Sequence, residues 1–227
     1  MIPVFTGEIA ANYDLWYQNP RGAFIDELET EAALKLFSPY PNQPVLDAGC
    51  GTGNFSIKLA QMGSKVTGID ISEDMLSLAR NKASLLNLDI QFLKMDLHSL
   101  DFPDGSFAGV FSMAAWEFVT EPERAFAELW RVLRPGGQLL IGTINRESPW
   151  GKLYMEQAKQ PGSVFRYADF KSLQDLKNLA PEHICGWSEC LFIPPEAEDS
   201  LFTRETEESL RYSNSPGFIV VCWQKPL

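Results

Sequence analysis

Three glycines at alternate positions follow a short apolar run, and they indicate a ligand that approaches the backbone closely. The stretch from Val45 to Asn54 is VLDAGCGTGN, with glycines at positions 49, 51 and 53. Glycine has no Cβ and tolerates positive φ, so a ligand can touch the main chain there. A predicted strand precedes the glycines and a predicted helix follows them, and the start of that helix offers unpaired N–H groups. This order is typical of a nucleotide-binding site.

The loop spacing and two nearby acids narrow the class of ligand. A dinucleotide fingerprint is GxGxxG, whereas this loop is GxGxG and has Asn54 where the last glycine would stand. Asp70 ends the next predicted strand, where its carboxylate can accept hydrogen bonds from ribose hydroxyls. Asp47 would repel a pyrophosphate and attract a ligand that carries an ammonium and a sulfonium. A nicotinamide-dependent oxidoreductase stays open as a weaker alternative.

Strand-like and helix-like patterns alternate along the chain and predict the elements that position these residues. The five apolar runs that predict strands are 44–47, 65–70, 90–94, 107–113 and 138–143. This alternation predicts an α/β fold, a Rossmann-like three-layer sandwich with a mostly parallel sheet. Two further runs near 182–194 and 217–224, with no clear helix between them, predict an antiparallel C-terminal addition. The whole sheet is thus expected to have seven strands, with an antiparallel C-terminal strand.

Polar residues and glycines predict where several helices begin and end. Ser72 is a predicted N-cap, and Gly63 suits the position just after a helix. Thr120 with Glu123 predicts a capping box. The run Pro135–Gly137 predicts the end of the helix that carries the apolar stripe of Phe126, Leu129, Trp130 and Leu133.

VLDAGCGTGN resembles the first motif of the class I S-adenosylmethionine-dependent methyltransferases. Asp70 matches the ribose-binding acid of that family, and KMDL at 94–97 matches the segment that contacts adenine. The stretches FPDGSF at 102–107 and RVLRPGG at 131–137 are similar to the subgroup that includes ubiquinone and menaquinone biosynthesis methyltransferases. The resemblance covers roughly residues 10–145 and contains these motifs in order.

The sequence departs from the family at the fourth strand. That strand begins with Phe107 and Ala108, where relatives often have Phe-Asp, and we interpret the missing Asp as mainly structural. The strand ends in SMAAWE at 112–117 rather than in an Asn-Pro-Pro-Tyr type motif. The resemblance therefore does not extend to enzymes that methylate DNA bases or protein glutamine on nitrogen.

The resemblance implies methyl transfer from S-adenosyl-L-methionine to a small-molecule acceptor, with S-adenosyl-L-homocysteine as the product. In this interpretation the glycine loop lies against the methionine portion, Asp70 binds the ribose, and Asp96 binds the adenine amine. The residues that the resemblance implies as cofactor-binding are Tyr17, Asp47, Gly49, Cys50, Gly51, Gly53, Asn54, Asp70, Ile71, Met75, Asp96, Leu97, Ser112 and Met113.

Two residues are candidates for a general base, although methyl transfer does not always require one. Glu117 follows the fourth strand and should reach the acceptor; a solvated helix start is the alternative. His98 lies close to Asp96 in sequence; a structural or solvated loop histidine is the alternative. The residues expected to contact the acceptor are Trp116, Trp150, Tyr154 and Arg166.

We expect one methyltransferase domain over residues 1–227. Residues 1–40 would form an N-terminal helical lid, because Tyr13, Trp16 and Tyr17 resemble an aromatic segment that closes over the cofactor in this family; a core stripe is the alternative. Residues 148–180 form the least regular segment, which we interpret as a substrate-covering insertion.

The amino-acid composition limits the kinds of partner that we expect for the protein. The formal net charge of -11 disfavours nucleic acid, and no apolar run is long enough to span a bilayer. The four cysteines form no CxxC pair and only two histidines are present, so no metal site is expected, and we expect a cytoplasmic protein with reduced thiols. A catalytically silent S-adenosylmethionine-binding regulatory or scaffold module remains an alternative, as does a protein acceptor. The oligomeric state stays open between monomer and homodimer.

Overall fold

The computed structural model describes residues 5–37 and 41–227 and contains a seven-stranded sheet in the order β3-β2-β1-β4-β5-β7-β6. Strand β7 runs antiparallel to both neighbours, and the other pairs are parallel, which confirms the predicted Rossmann-like class. The strands are β1 Pro44–Ala48, β2 Lys65–Asp70, β3 Gln91–Lys94, β4 Phe107–Met113, β5 Leu133–Ile144, β6 Ile184–Cys190 and β7 Phe218–Gln224.

Helices cover both faces of the sheet. They are α1 Gly7–Asn12, α2 Leu15–Gln18, α3 Pro20–Leu34, α4 Asn54–Gln61, α5 Glu73–Leu85, α6 Pro122–Val132, α7 Pro149–Gln157, α8 Leu173–Lys177 and α9 Arg204–Leu210. Within the described residues, none of these helices is both long enough and apolar enough to cross a bilayer. Residues 1–4 and 38–40 of the predicted lid lie outside the described residues.

The sheet positions the glycine loop at its centre. Strand β1 pairs with β2 on one side and with β4 on the other, so the chain order reverses at β1. Leu46 and Val110 sit opposite each other in this centre, and both side chains are fully buried. In an open parallel sheet, ligands bind beyond the carboxyl ends of the strands at such a reversal. The loop after β1 lies at that position.

Local sequence signals predicted some helix ends and missed others. The Ser72 hydroxyl accepts a hydrogen bond from the Met75 N–H at 3.4 Å, so this predicted N-cap is confirmed. The predicted capping box is wrong, because α6 begins after Glu121 and Thr120 is exposed outside it. The predicted start of the fifth strand at residue 138 is also wrong, since β5 begins at Leu133, directly after α6.

The chain after β6 contains a helix that the apolar pattern did not predict. Glu207 on α9 is only 4% exposed, and its carboxylate accepts hydrogen bonds from three consecutive backbone N–H groups. The donors are Leu191 at 2.7 Å, Phe192 at 2.9 Å and Ile193 at 3.3 Å. Leu191 has a φ of 65°, which is uncommon outside glycine. Glu207 therefore holds a turn that the backbone alone would not favour.

We expect Glu207→Gln to destabilise the fold, because the amide NH₂ would face N–H donors that the carboxylate now satisfies. The free energy of unfolding should fall by about 1–3 kcal/mol. For a chain of this size, each kcal/mol lowers the thermal midpoint by about 2–4 °C. Glu205→Gln, an exposed residue of the same helix, makes the same change and is the control. Equal midpoints for the two variants would contradict this role.

Candidate functional site

A cavity lies at the carboxyl ends of β1, β2 and β4, beside the glycine loop, and we call it the loop cavity. Residues that were not among the predicted cofactor-binding residues also contribute to its wall, among them Phe5, Thr52, Met95 and Phe118. The predicted cofactor-binding residues that line it are Tyr17, Gly49, Cys50, Gly51, Asn54, Asp70, Ile71, Met75, Leu97 and Met113.

The loop itself requires glycine for two separate reasons. Gly49, Gly51 and Gly53 have φ values of 77°, 54° and 80°, in the region that disfavours a side chain. A Cβ on Gly49 would also lie 2.6 Å from the Cβ of Ala115, too close for two carbons. The Gly49 N–H donates to the carbonyl of Ile69 at 2.8 Å, which ties the loop to β2. The main chain is thus left bare along one side of the cavity.

Asp70 stands where the loop and β2 meet. Its Oδ2 accepts a hydrogen bond from the Gly51 N–H at 2.9 Å, and its Oδ1 accepts one from the Ser72 N–H at 2.8 Å. Burial raises the pKa of Asp70, and these backbone hydrogen bonds oppose that rise. A carboxylate oxygen has two lone pairs, so each oxygen can accept one more hydrogen bond. The side chain can therefore bind a diol such as that of a ribose.

The loop cavity suits a ligand that combines an apolar ring with polar groups. Ile71, Met75 and Leu97 supply apolar side chains beside Asp70. The glycine loop supplies bare main chain on the same wall. An adenosyl group with an attached amino acid has this distribution of apolar and polar parts, so the described residues fit S-adenosylmethionine.

Several predicted cofactor residues do not lie on this wall. Asp47 is 2% exposed and accepts a hydrogen bond from the Ser56 hydroxyl at 2.5 Å, and burial raises its pKa to about 7. The Ser112 hydroxyl is fully buried and donates to the Ala48 carbonyl at 2.8 Å. Gly53 caps α4 instead of facing the cavity. In the structure these residues support the glycine loop and are not part of the cavity wall.

Asp96 and His98 form a local pair instead of lining a cavity. The Asp96 carboxylate accepts the His98 N–H at 2.9 Å and lies 2.7 Å from the His98 ring nitrogen Nδ1. The ring is 7% exposed and faces neither described cavity. His98 is thus absent from the walls of both described cavities, as the structural alternative expects.

A second cavity adjoins the first and shares five wall residues with it: Phe5, Tyr13, Tyr17, Ala114 and Phe118. Ala114 has a φ of 50°, so the main chain is strained at the junction of the two cavities. The predicted residues Glu117, Trp150 and Tyr154 line this second cavity. Its remaining wall comes mainly from α3 and from the segment after β5.

Two residues expected to contact the acceptor lie elsewhere. Trp116 is fully buried in the main core, where its side chain packs among residues such as Leu46 and Ile69. Arg166 is exposed, and its guanidinium lies 5.1 Å from the centre of the Tyr167 ring. Sequence position alone could not separate these two from Trp150 and Tyr154, because the direction of each side chain depends on packing.

Glu117 is the candidate base with access to the second cavity. It is 2% exposed, and its Oε2 accepts a hydrogen bond from the Thr143 hydroxyl at 2.8 Å. Burial raises the pKa of Glu117, and its hydrogen bonds partly oppose that rise. A buried carboxyl group with a raised pKa can exchange a proton nearer to neutral pH than an exposed one.

Polar contacts fasten the N-terminal helices over the loop cavity. The Asp14 Oδ1 accepts the Thr52 hydroxyl at 2.7 Å. The Lys82 ammonium reaches Asp14 Oδ2 at 2.8 Å, Thr52 Oγ1 at 2.9 Å and Asn54 Oδ1 at 2.5 Å. Asp14 belongs to the N-terminal segment, Thr52 to the loop, Asn54 to the start of α4 and Lys82 to α5. One ammonium thus joins the N-terminal segment, the loop and α5.

Glu29 is the most informative wall residue that the sequence analysis missed. It lies on α3 beside Ile25, Leu28 and Ala32, whose side chains are buried against the sheet. It comes four residues after Ile25 and three before Ala32, so it shares their face of the helix. The sequence signal that could have identified Glu29 is an acidic residue on an otherwise apolar face of a predicted helix.

The sequence of this chain is similar to a known domain family and to curated methyltransferases. The sequence model of the methyltransferase domain family matches residues 46–141. A demethylmenaquinone methyltransferase of Thermus thermophilus is 36% identical over 137 residues, which are 59% of this chain and 61% of that protein. A malonyl-[acyl-carrier protein] O-methyltransferase of Buchnera aphidicola is 32% identical over 173 residues, 75% of this chain and 64% of that protein. The chain spans less than two thirds of the length of these curated relatives.

A solved structure covers nearly all of the fold. It is described as a SAM-dependent methyltransferase, possible histamine N-methyltransferase, from Thermotoga maritima. The two chains are 25% identical with a TM-score of 0.72, and the match covers 96% of this chain and 97% of that one. The similarity therefore includes the N-terminal helices and the C-terminal strands as well as the glycine loop.

We expect Lys82→Met to loosen the N-terminal helices, because it removes the ammonium and keeps most of the apolar stem. Amide hydrogen exchange should become faster over residues 5–18, while exchange in the sheet stays unchanged. Lys65→Met is the control, since that exposed lysine makes the same change of charge away from the cavity. Unchanged exchange over residues 5–18 would contradict the fastening role.

Proposed function

We propose that the chain is a class I S-adenosylmethionine-dependent methyltransferase and that it transfers a methyl group from this cofactor to a small-molecule acceptor. The observation that carries the proposal is the junction of two cavities at Tyr13, Tyr17 and Ala114. One cavity fits the cofactor, and the other offers a largely aromatic space for a second molecule. Group transfer requires such an arrangement of two ligands.

For the cofactor, we propose that the glycine loop binds the methionine portion and that Asp70 binds the ribose. Ile71, Met75 and Leu97 would then enclose the adenine. Met113 and Ala114, at the end of β4, lie on the wall nearest the second cavity and would face the reacting end. When bound, the cofactor supplies a methyl group that is already activated by its sulfonium.

The protein's part in the reaction is to orient the acceptor and to exclude water. Fixing two reactants in a productive orientation can supply about 7–11 kcal/mol of the barrier. The N-terminal helices, held by Lys82, would cover the cofactor, and residues 148–180 would cover the acceptor through Trp150 and Tyr154. We propose Glu117 as the group that takes a proton where the acceptor must lose one.

The relatives' names leave the acceptor atom open. They are a demethylmenaquinone methyltransferase, a malonyl-[acyl-carrier protein] O-methyltransferase and a possible histamine N-methyltransferase. We propose an acceptor with an aromatic or apolar body, because rings such as Trp150, Tyr154 and Phe165 line the second cavity. The acidic net charge of -11 disfavours nucleic acid as a partner.

The proposal also covers the domain extent, the cellular location and the oligomeric state of the chain. We propose that residues 1–227 act as one methyltransferase domain in the cytoplasm, consistent with four free cysteines. The chain would act as a monomer or a homodimer. The competing function is a silent cofactor-binding module, and it would share the loop cavity but methylate nothing.

We expect Asp70→Asn to weaken binding of S-adenosyl-L-homocysteine by about 10–100-fold, because the amide loses the charge and one acceptor oxygen for the ribose. Titration calorimetry measures this, and the unfolding midpoint shows whether the fold persists. Asp89→Asn is exposed and makes the same change of charge, so its affinity should match the parent. An Asp70→Asn protein that binds as tightly as the parent would refute the ribose contact.

The activity itself is tested with cofactor labelled in its methyl group. The parent protein is incubated with panels of aromatic alcohols, amines and quinols, and label is sought in the low-mass fraction. Label transferred to one of these compounds supports the proposal. Tight cofactor binding with no transfer to any panel member or cell extract supports the silent module instead.

Once an acceptor is found, we expect Glu117→Gln to slow turnover while cofactor affinity stays the same. A lost general base costs about 10²–10⁴-fold in rate. Glu121→Gln, an exposed residue outside both cavities, is the matched control. A Glu117→Gln rate equal to the parent's would remove Glu117 as the base.

A further inference from the structure

Glu29 on α3 is a cavity-wall carboxylate with no hydrogen-bond or ion-pair partner among the described residues. The neighbouring acid on the same wall, Asp26, is satisfied, because Lys58 Nζ lies 2.7 Å from both of its carboxylate oxygens. Lys58 also donates to the Thr30 hydroxyl at 2.7 Å. Its three donors therefore all have acceptors, and none remains for Glu29.

The other charged groups of the second cavity each have a partner, although the Nε of Arg21 has none among the described residues. Glu117 accepts the Thr143 hydroxyl, as described above. Arg21 donates to the Pro195 carbonyl, and its guanidinium lies 4.2 Å from the centre of the Phe202 ring. Glu29 is half-buried, and a carboxylate that is partly withdrawn from water and has no partner is a group that a ligand would satisfy.

The surroundings of Glu29 favour a positive ligand. Its pKa is raised to about 8, mainly by burial and also by the charges of Asp26 and Glu117, while Lys58 opposes the rise. A cation beside Glu29 would therefore relieve repulsion among three carboxyl groups. An acceptor that carries a carboxylate or phosphate would add to that repulsion.

The aromatic wall is compatible with the same kind of ligand. Trp16, Trp150, Tyr154 and Phe165 line the second cavity, and the centres of the Tyr154 and Phe165 rings are 4.5 Å apart. Ring faces attract ammonium groups, and this attraction strengthens when water is excluded. A carboxylate and a set of aromatic rings together form a site for an amine with an apolar body.

We propose that the acceptor carries a basic amine that enters the second cavity as an ammonium group, and that Glu29 accepts its N–H hydrogen bonds. This inference rests on the proposed function, since it assigns the chemical class of the acceptor in the same site. It concerns binding and holds for whichever acceptor atom receives the methyl group.

The proposal implies a pH dependence of amine binding. Glu29 must be ionised to pair with an ammonium group, so affinity should rise from pH 6 to about 8 and then level off. The limiting slope is about tenfold per pH unit below the pKa. The groups that face Glu29 are Asp26, Lys58, Glu117, Tyr13, Tyr17, Tyr154 and Cys190.

Most of these neighbours do not titrate in the same range. Burial raises the pKa of Tyr13 to about 12 and also raises the pKa values of Tyr17, Tyr154 and Cys190. These four groups therefore stay neutral between pH 6 and 8. The pKa of Glu117 is raised as well. The change of amine affinity with pH is therefore attributed to Glu29 only if it disappears in the Glu29→Gln variant.

The test compares phenethylamine with 2-phenylethanol, which has a similar shape but no basic nitrogen. Binding is measured by calorimetry at pH 8.5 with saturating S-adenosyl-L-homocysteine. The parent protein should bind the amine at least tenfold more tightly than the alcohol. Glu29→Gln should remove this preference and the rise in amine affinity between pH 6 and 8. Glu27→Gln, an exposed residue of the same helix, should retain both.

The outcomes separate this inference from the proposed function. Binding of S-adenosyl-L-homocysteine without a preference for the amine, including no binding of either probe, overturns the amine inference alone. Retention of the preference in Glu29→Gln overturns it too, because the selectivity would then come from another group. Failure of the parent protein to bind S-adenosyl-L-homocysteine overturns both proposals. The unfolding midpoint of Glu29→Gln should not fall, since no described partner is lost.

Discussion

The site depends on the hydrogen bonds that hold the glycine loop against the end of β2. The N–H groups of Gly49 and Cys50 both donate to the Ile69 carbonyl, at 2.8 and 2.9 Å, and Gly51 N–H donates to Asp70. These bonds fix the loop in a conformation with positive φ and leave its other side bare. The same carboxylate that supports the loop faces the cavity, so folding the loop also builds the ligand site.

The two cavities are linked through the N-terminal helices. Tyr13 and Tyr17 lie on the walls of both cavities, and their hydroxyl oxygens are 3.3 Å apart. Asp14, between these tyrosines in the sequence, is bound to the loop and to Lys82. Movement of this segment would therefore open both cavities together. A cofactor that orders the segment would also complete the wall around the acceptor.

The sheet and the loop could be predicted from sequence because their signals are local. Glycine spacing, short apolar runs and a capping serine act over a few residues, and the strand order then follows from general rules of α/β folds. The directions of side chains such as Ser112, Trp116 and Arg166 could not be predicted, since burial depends on elements distant in the chain. Helix α9 was missed for a similar reason: its buried contact is one carboxylate, Glu207, rather than an apolar stripe.

Thermal unfolding with added ligands tests the central claim most directly, that the loop cavity binds S-adenosylmethionine. A ligand at about 100 times its dissociation constant stabilises a protein by roughly 2.7 kcal/mol. For a chain of this length, that energy corresponds to a midpoint rise of about 5–10 °C. We predict this rise with S-adenosylmethionine and with S-adenosyl-L-homocysteine, and no rise with NAD. A rise with NAD alone, or no rise with either adenosyl ligand, would contradict the account.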